Sequence, residues 1–137
     1  LVSIVMAVYK PEHFTQALDS ALAQTYPHCE IVIGDDCPTD AIMRLVAEYQ
    51  ARSPRFPINY VKNAEALVGQ NFVQSFLRAK GTYIKFLNDD DTLAPTCVER
   101  MVDCLARYPD VTLVTSHRQQ IDTHGRPIPD SRVTARI

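Results

Sequence analysis

Acidic residues cluster at two places in this sequence, each directly after a short run of β-forming apolar residues. The first cluster is Asp35-Asp36, and the second consists of Asp89, Asp90 and Asp91. Carboxylates held close together repel one another, and a divalent cation relieves that repulsion because it prefers oxygen ligands. Magnesium or manganese bound by one or two carboxylates keeps positions open for substrate phosphates. The pattern therefore indicates metal-assisted handling of a diphosphate, with the metal stabilising charge on the leaving group.

Each cluster also has a purely structural interpretation. Acidic residues just before a helix interact favourably with its dipole, which would account for the run at 89–91. Asp35-Asp36 could likewise cap a helix that starts near Asp40. Both alternatives stay open at this point.

Several other kinds of site are poorly supported by the sequence. The four histidines show no metal-ligand spacing, and the four cysteines include no C-x-x-C pair. Reduced thiols are therefore expected rather than a zinc site or disulfides. The glycine patterns of dinucleotide-binding turns, phosphate loops and nucleophile elbows are absent. A net charge of -2 gives no electrostatic footprint for nucleic acid.

Short apolar runs alternate with helical periodicity along the chain, and a helix is predicted between successive strands. The strands are predicted at Val2–Val8, 30–34, Ile58–Lys62, 82–87 and 111–116. The third helix has a predicted core face of Phe72, Val73, Phe76 and Leu77. Gly81 is expected to end that helix in a left-handed conformation. Residues 123–127 form a predicted turn between two short antiparallel strands.

This alternation predicts an α/β fold, a three-layer α/β/α sandwich with a mostly parallel central sheet. Right-handed crossovers bring the carboxyl ends of the strands to one edge, where ligands bind. That edge would gather residues that follow the ends of four strands, namely Tyr9 and Lys10, Asp35 and Asp36, Lys62 and Asn63, and 88–91. A length of 137 residues, 46% of them hydrophobic, suits a single domain over 1–137. The absence of an initiator methionine leads us to expect a fragment of a longer protein, and no apolar window approaches the ~20 residues of a membrane span.

Four blocks of sequence carry a family resemblance. They are LVSIVMAVY at 1–9, ALDSALAQTYP at 17–27, EIVIGDD at 30–36 and AKGTYIKFLNDDD at 79–91. In this order and spacing they resemble the family 2 glycosyltransferases of the GT-A fold, the nucleotide-diphospho-sugar transferase type. The resemblance implies transfer of a sugar from a UDP-, GDP- or dTDP-linked donor to an acceptor hydroxyl, with inversion at the anomeric carbon. It also implies a role in the synthesis of surface polysaccharides or other glycans.

The resemblance assigns roles to individual positions. The base would contact the end of the first strand and Asp36, with Asp35 beside it. The second cluster would match the D-x-D motif, which binds the ribose, the diphosphate and the divalent metal. A divalent metal, Mn²⁺ or Mg²⁺, is assigned by spacing to Asp89 and Asp91, with Asp90 close behind. The substrate-binding residues implied are Ala7, Tyr9, Asp35, Asp36, Asn71, Asp89 and Asp90. The catalytic base is expected beyond Ile137 and is not assigned.

The sequence departs from the family pattern at several of these positions. Lys10 and Pro11 follow Tyr9 where an asparagine is usual, and Cys37-Pro38 stand where Gly-Ser is usual. The helix around Phe72 lacks the basic residue that many members carry, and Asn71 is the polar group that could replace it.

The partners implied are a nucleoside-diphosphate-sugar donor and a sugar, glycan or lipid-linked acceptor, and no nucleic acid is implied. The expected location is the cytoplasm, with contact to the inner face of the membrane through regions outside this segment. Two other functions stay open: a nucleotidyltransferase, although 7–10 is no glycine-rich basic loop, and a non-catalytic nucleotide-binding domain.

Overall fold

The computed structural model describes the backbone of residues 1–133 and the side chains of residues 1–129. The chain divides into two compact units, Leu1–Arg100 and Met101–Ile137. The single domain predicted over 1–137 stays a prediction. In the described part of the chain, no helix is long and apolar enough to cross a bilayer.

The first unit is built on a sheet of four parallel strands in the order β3-β2-β1-β4. The strands are β1 (Val2–Val8), β2 (Cys29–Asp35), β3 (Ile58–Lys62) and β4 (Tyr83–Phe86). The helices that alternate with them are α1 (Phe14–Leu22), α2 (Ala41–Ala51) and α3 (Gln70–Arg78), and α4 (Cys97–Arg107) begins in the same unit. The predicted α/β fold with a parallel central sheet is confirmed.

The two central strands form the core of the sheet. β1 and β2 are almost wholly buried, and Ile4, Met6, Ile31 and Ile33 have no exposed surface. Burying each such side chain contributes about 1.5–3 kcal/mol. Near-continuous apolar runs are typical of strands covered on both faces, which is why these two could be recognised from the sequence.

Helices cover both faces of the sheet because the strand order reverses direction after β3. The connections from β1 to β2 and from β2 to β3 run one way, so right-handed crossovers place α1 and α2 on the same face. A hydrogen bond from Tyr49 of α2 to Asp19 of α1, 2.6 Å long, links these helices. The connection from β3 to β4 runs back across the sheet, which places α3 on the other face.

The helix α3 packs on the sheet through its polar side. Asn71 and Ser75 are buried against Gly34, while Phe72, Val73, Phe76 and Leu77 are 36–68% exposed. The predicted core face of this helix is therefore wrong. Gly34 has no side chain, so the helix approaches closely, and the Asn71 amide bonds the carbonyl of Gly34 at 2.8 Å. Phe72 and Phe76 instead pack against Phe86 of β4.

Gly81 is required for a different reason than the one expected. Its φ angle is not positive, since Gly125 is the only described glycine in the left-handed region. A Cβ at Gly81 would lie 2.6 Å from the backbone nitrogen of Ser3. Close approach of two backbones, rather than a left-handed helix end, therefore excludes a side chain here.

The predicted fifth strand is also wrong, because residues 111–116 contain no strand in the part of the chain that the structure describes. Leu113 is 78% exposed and Val111 is 40% exposed. β-branched residues favour a strand only where a neighbouring strand supplies ladder hydrogen bonds and a packing surface. None of the described strands pairs with this segment.

The second unit contains a two-stranded antiparallel hairpin, as the sequence predicts. β5 (Arg118–Ile121) pairs with β6 (Pro127–Val133) across a turn in which Gly125 has a φ of 76°. Asp122 accepts hydrogen bonds from the backbone N–H groups of His124 and Arg126. The bond from the Arg126 backbone is the main cause that lowers the pKa of Asp122.

We expect Gly34→Ala to lower the free energy of unfolding by about 2 kcal/mol or more. The new Cβ would lie 2.2 Å from both Asn71 Oδ1 and Ser75 Oγ, so α3 would have to move away from the sheet. Gly69→Ala is the matched control, because nothing lies within 4 Å of a Cβ there. Urea denaturation followed by circular dichroism measures the difference, and equal midpoints for the two variants would contradict the close packing of α3.

Candidate functional site

A pocket of about 720 Å³ lies at the carboxyl edge of the four-stranded sheet. Three segments form it, and they follow β1, β2 and β4. The lining residues are Tyr9, Lys10, Pro11, Glu12, His13, Cys37, Pro38, Thr39, Asp89 and Asp90. This volume lies within the 300–1,000 Å³ range typical of small-molecule sites.

The two acidic clusters meet at the end of β1, as the sequence predicts. The backbone N–H of Asp36 donates to the carbonyl of Val8 at 2.8 Å. The next residue, Tyr9, donates its own N–H to Asp89 Oδ2, also at 2.8 Å. Residues 8 and 9 thus contact one cluster each, the first cluster through the backbone of Asp36 and the second through the Asp89 carboxylate.

Asp89 joins the ends of β1 and β4. Its Oδ2 atom accepts the backbone N–H groups of Tyr9 and Lys10, each at 2.8 Å. The side chain lines the pocket, and its Oδ1 atom makes no hydrogen bond to the described residues. Asp89 therefore both fixes the pocket wall and leaves one oxygen available to a ligand.

The other two aspartates of the second cluster differ in position. Asp90 lines the pocket, and no hydrogen bond to the described residues involves its carboxylate. Asp91 is not among the lining residues, and its Oδ2 accepts a hydrogen bond of 3.0 Å from the Asn88 side chain. The pocket is thus lined by the first two aspartates of the run, whereas spacing alone favoured the first and the third.

Asp35 is fully buried and is used internally. Its Oδ1 accepts the N–H of Cys37 at 2.7 Å, and its Oδ2 accepts the Tyr60 hydroxyl at 2.6 Å and the Lys62 ammonium at 3.3 Å. Burial, followed by the hydrogen bond to Asp35, raises the pKa of Tyr60. The tyrosine therefore stays a hydrogen-bond donor to this carboxylate over the physiological pH range.

Lys62 holds the wall of the pocket that follows β2. Its ammonium donates to the backbone carbonyls of Cys37 and Thr39 as well as to Asp35. All three of its N–H bonds are thus used by the protein. Together with Asp35, this lysine fixes the backbone of 37–39, which lines the pocket.

Asp36 is also engaged by the protein. Its Oδ1 accepts the Asn63 amide at 2.8 Å, and its Oδ2 accepts the backbone N–H groups of Leu67 and Val68 at 3.0 and 2.9 Å. Asn63 also bonds Asn71 at 3.1 Å, and Asn71 is only 2% exposed. Asp36 and Asn71 therefore belong to a network that holds the start of α3, and their predicted contacts with a donor stay predictions.

The remaining predicted residues lie at the end of β1. Tyr9 lines the pocket and is 53% exposed, so its ring is available to a ligand. Ala7 is half-buried within β1 and does not line the pocket.

The sequence analysis missed seven of the lining residues as site residues. They are Lys10, Pro11, Glu12, His13, Cys37, Pro38 and Thr39. Each follows the carboxyl end of β1 or β2 within a few positions. The strand-end rule placed Lys10 at this edge without giving it a role, and the same rule extended by a few positions would have found the others. Chemistry alone did not, because isolated histidines and cysteines are usually structural.

A divalent metal fits this site only as a partner of a bound phosphate. No three His, Cys, Asp or Glu side chains converge as ligands anywhere in residues described by the structure. Magnesium and manganese do not need such a cage, since they are commonly held by one or two carboxylates and the substrate phosphates. The uncommitted Asp89 Oδ1 and the Asp90 carboxylate are donors of that kind.

The sequence profile of glycosyl transferase family 2 matches residues 3–134. The chain belongs to this family. Chondroitin synthase from Escherichia coli is 30% identical over 129 residues, which cover 93% of this chain and 18% of that protein. The chain spans 15%, 41% and 18% of the length of the first three curated relatives it matches.

Solved structures share the fold at lower sequence identity. S. aureus TarS 1-349 in complex with UDP-GlcNAc has a TM-score of 0.72 at 19% identity, covering 79% of this chain and 32% of that chain. The mannosyltransferase PcManGT from Pyrobaculum calidifontis, in complex with GDP-Man and Mn²⁺, has a TM-score of 0.69 at 23% identity, covering 77% of this chain and 32% of that chain. The GT-A fold implied by the sequence is thereby confirmed.

We expect Val68→Gly to raise the free energy of unfolding by about 1 kcal/mol. Val68 has a φ of 52°, in the left-handed region that a β-branched residue avoids, and its exposure of 80% means that little packing is lost. Val73→Gly, in the regular part of α3, is the control and should lower stability. Chemical denaturation of both variants tests this, and a Val68→Gly protein less stable than wild type would show that the strain is absent.

Proposed function

We propose that this chain is the donor-binding part of an inverting glycosyltransferase, which moves a sugar from a nucleoside-diphosphate-sugar to an acceptor hydroxyl. The observation that carries the proposal is that Asp89 and Asp90 line the same pocket as Tyr9 and the 37–39 segment. Carboxylates, an aromatic ring and backbone polar groups in one cavity suit a ligand with a diphosphate and a nucleoside.

The charges of the pocket support a divalent metal. Glu12, Asp89 and Asp90 line it with three carboxylates, against the one ammonium of Lys10. An anionic diphosphate would be repelled from such a wall unless a cation came with it. We propose that Asp89 and Asp90, rather than Asp89 and Asp91, hold Mn²⁺ or Mg²⁺ through their uncommitted oxygens.

The metal, when bound, would neutralise the diphosphate as it leaves. The residues of this chain would orient the donor: the Tyr9 ring offers a face for the base, and the 37–39 segment forms a fixed wall of the same pocket. Binding in a prearranged pocket holds the anomeric carbon in position for attack.

The proposed reaction is a direct displacement. The acceptor oxygen forms a bond to the anomeric carbon while the bond from that carbon to the diphosphate oxygen breaks, and the electron pair leaves with the nucleoside diphosphate. The acceptor proton passes to a general base. We assign no base within residues 1–133 and expect it beyond residue 137.

The relatives support this reading. TarS and PcManGT are described with UDP-GlcNAc and with GDP-Man and Mn²⁺, and the chondroitin synthase relative is named for a polysaccharide. We therefore extend the proposal to glycan or surface polysaccharide synthesis on the cytoplasmic side, with a sugar, glycan or lipid-linked acceptor.

We expect Asp90→Asn to weaken Mn²⁺-dependent binding of a nucleoside diphosphate by at least about tenfold, since a metal-facing carboxylate is lost. Asp91→Asn is the matched control, because it makes the same change one position outside the pocket. Titration calorimetry of UDP, GDP and dTDP with and without Mn²⁺ measures the effect.

Three results would count against parts of this proposal. A loss confined to Asp91→Asn would return the metal to Asp89 and Asp91. Binding that ignores Mn²⁺ in the wild-type chain would favour a non-catalytic nucleotide-binding domain. No binding of any of the three nucleotides would refute the donor-site assignment itself.

A further inference from the structure

Lys10 is the one lysine or arginine that lines the described pocket. Its backbone N–H is fixed by Asp89 Oδ2 at 2.8 Å, and its side chain is exposed. No acidic group of the described residues lies within ion-pair distance of its ammonium. The Lys10 side chain therefore has no acidic partner among the described residues.

The other basic side chain near the carboxyl edge of the sheet is already bound by the protein, and the start of α3 carries none. The Lys62 ammonium already donates to Asp35 and to the carbonyls of Cys37 and Thr39. The first turn of α3, which follows β3, carries no basic residue, and the single basic residue of that helix is Arg78 in its last turn. Among the lysine and arginine side chains, only Lys10 is therefore placed in the pocket to meet an anionic ligand.

The position of Lys10 relates it to the acidic end of the pocket. The same carboxylate oxygen of Asp89 accepts the N–H groups of Tyr9 and Lys10, so the Lys10 backbone lies directly beside Asp89. A lysine ammonium on a flexible stem acts as a mobile point charge, and phosphate oxygens are its usual ligands. A ligand phosphate near Asp89 and Asp90 would therefore lie within reach of this side chain.

We propose that Lys10 binds the diphosphate of the donor and so discriminates nucleoside diphosphates from nucleosides. This inference rests on the proposed donor site and adds a residue to it. The ammonium offsets part of the negative charge of Glu12, Asp89 and Asp90, and it does so where the diphosphate must lie. Loss of the charge should weaken binding of the phosphate part of the ligand and leave binding of the base unchanged.

The test compares Lys10→Met, Lys10→Arg and Lys80→Met with the wild-type chain. Lys80 is an exposed lysine just before β4, at the opposite end of the sheet, so its substitution removes the same charge away from the pocket. Each protein is titrated with UDP and GDP and with uridine and guanosine, all in the presence of Mn²⁺. Thermal unfolding monitors the integrity of each variant.

We expect Lys10→Met to weaken binding of the diphosphate about tenfold, as for a lost hydrogen bond to a charged group. Nucleoside binding should not change, Lys10→Arg should retain most of the affinity, and Lys80→Met should behave as wild type. The dependence of diphosphate affinity on salt concentration should also become shallower in Lys10→Met, because one ionic contact is gone.

Two outcomes would overturn the inference and leave the donor site standing: wild-type affinity of Lys10→Met for UDP and GDP, or an equal loss for nucleoside and diphosphate. The second would indicate a change in pocket shape rather than a phosphate contact. If the wild-type chain binds neither UDP nor GDP, both the inference and the donor site are overturned. The wild-type titration alone therefore separates this outcome from the other two.

Discussion

One carboxylate oxygen connects two of the three segments that form the pocket, the one after β1 and the one after β4. Asp89 Oδ2 accepts the N–H groups of Tyr9 and Lys10, and these are the first backbone donors after β1. Because β1 and β4 are parallel neighbours, their chains leave the sheet at the same edge and their N–H groups need new acceptors there. Asp89 supplies one and so sets the relative position of the 9–13 segment and the acidic run.

The first acidic cluster has a different role from the second. Both of its carboxylates are surrounded by donors from the protein: Asp35 by Cys37, Tyr60 and Lys62, and Asp36 by Asn63 and the 67–68 backbone. A buried carboxylate is stable only with such partners. Of the two clusters, only the second lines the pocket, through Asp89 and Asp90, while the first supports the surrounding backbone.

The sequence predicted the parts of this molecule that depend on local pattern and topology. Apolar runs identified the β1 and β2 strands, and the crossover rule identified the edge at which Tyr9 and Asp89 meet. It failed where tertiary packing decides. The polar side of α3 faces the sheet because Gly34 leaves room for Asn71, and residues 111–116 lack a neighbouring strand. Spacing could not choose among three consecutive aspartates, because that choice depends on the turn after β4.

The way in which Asp35 and Lys62 hold the 37–39 segment has a consequence for how the pocket can evolve. Asp35 and Lys62 bind only backbone atoms of this segment, namely the N–H of Cys37 and the carbonyls of Cys37 and Thr39. The bonds to Asp35 and Lys62 therefore do not depend on the side chains at 38 and 39, although Thr39 Oγ1 also accepts the N–H of Ala41 at 3.4 Å. Substitutions at Pro38 and Thr39 would change the shape of the pocket wall while the backbone of 37–39 stays bound to Asp35 and Lys62. Related proteins could in this way come to bind different ligands on the same backbone.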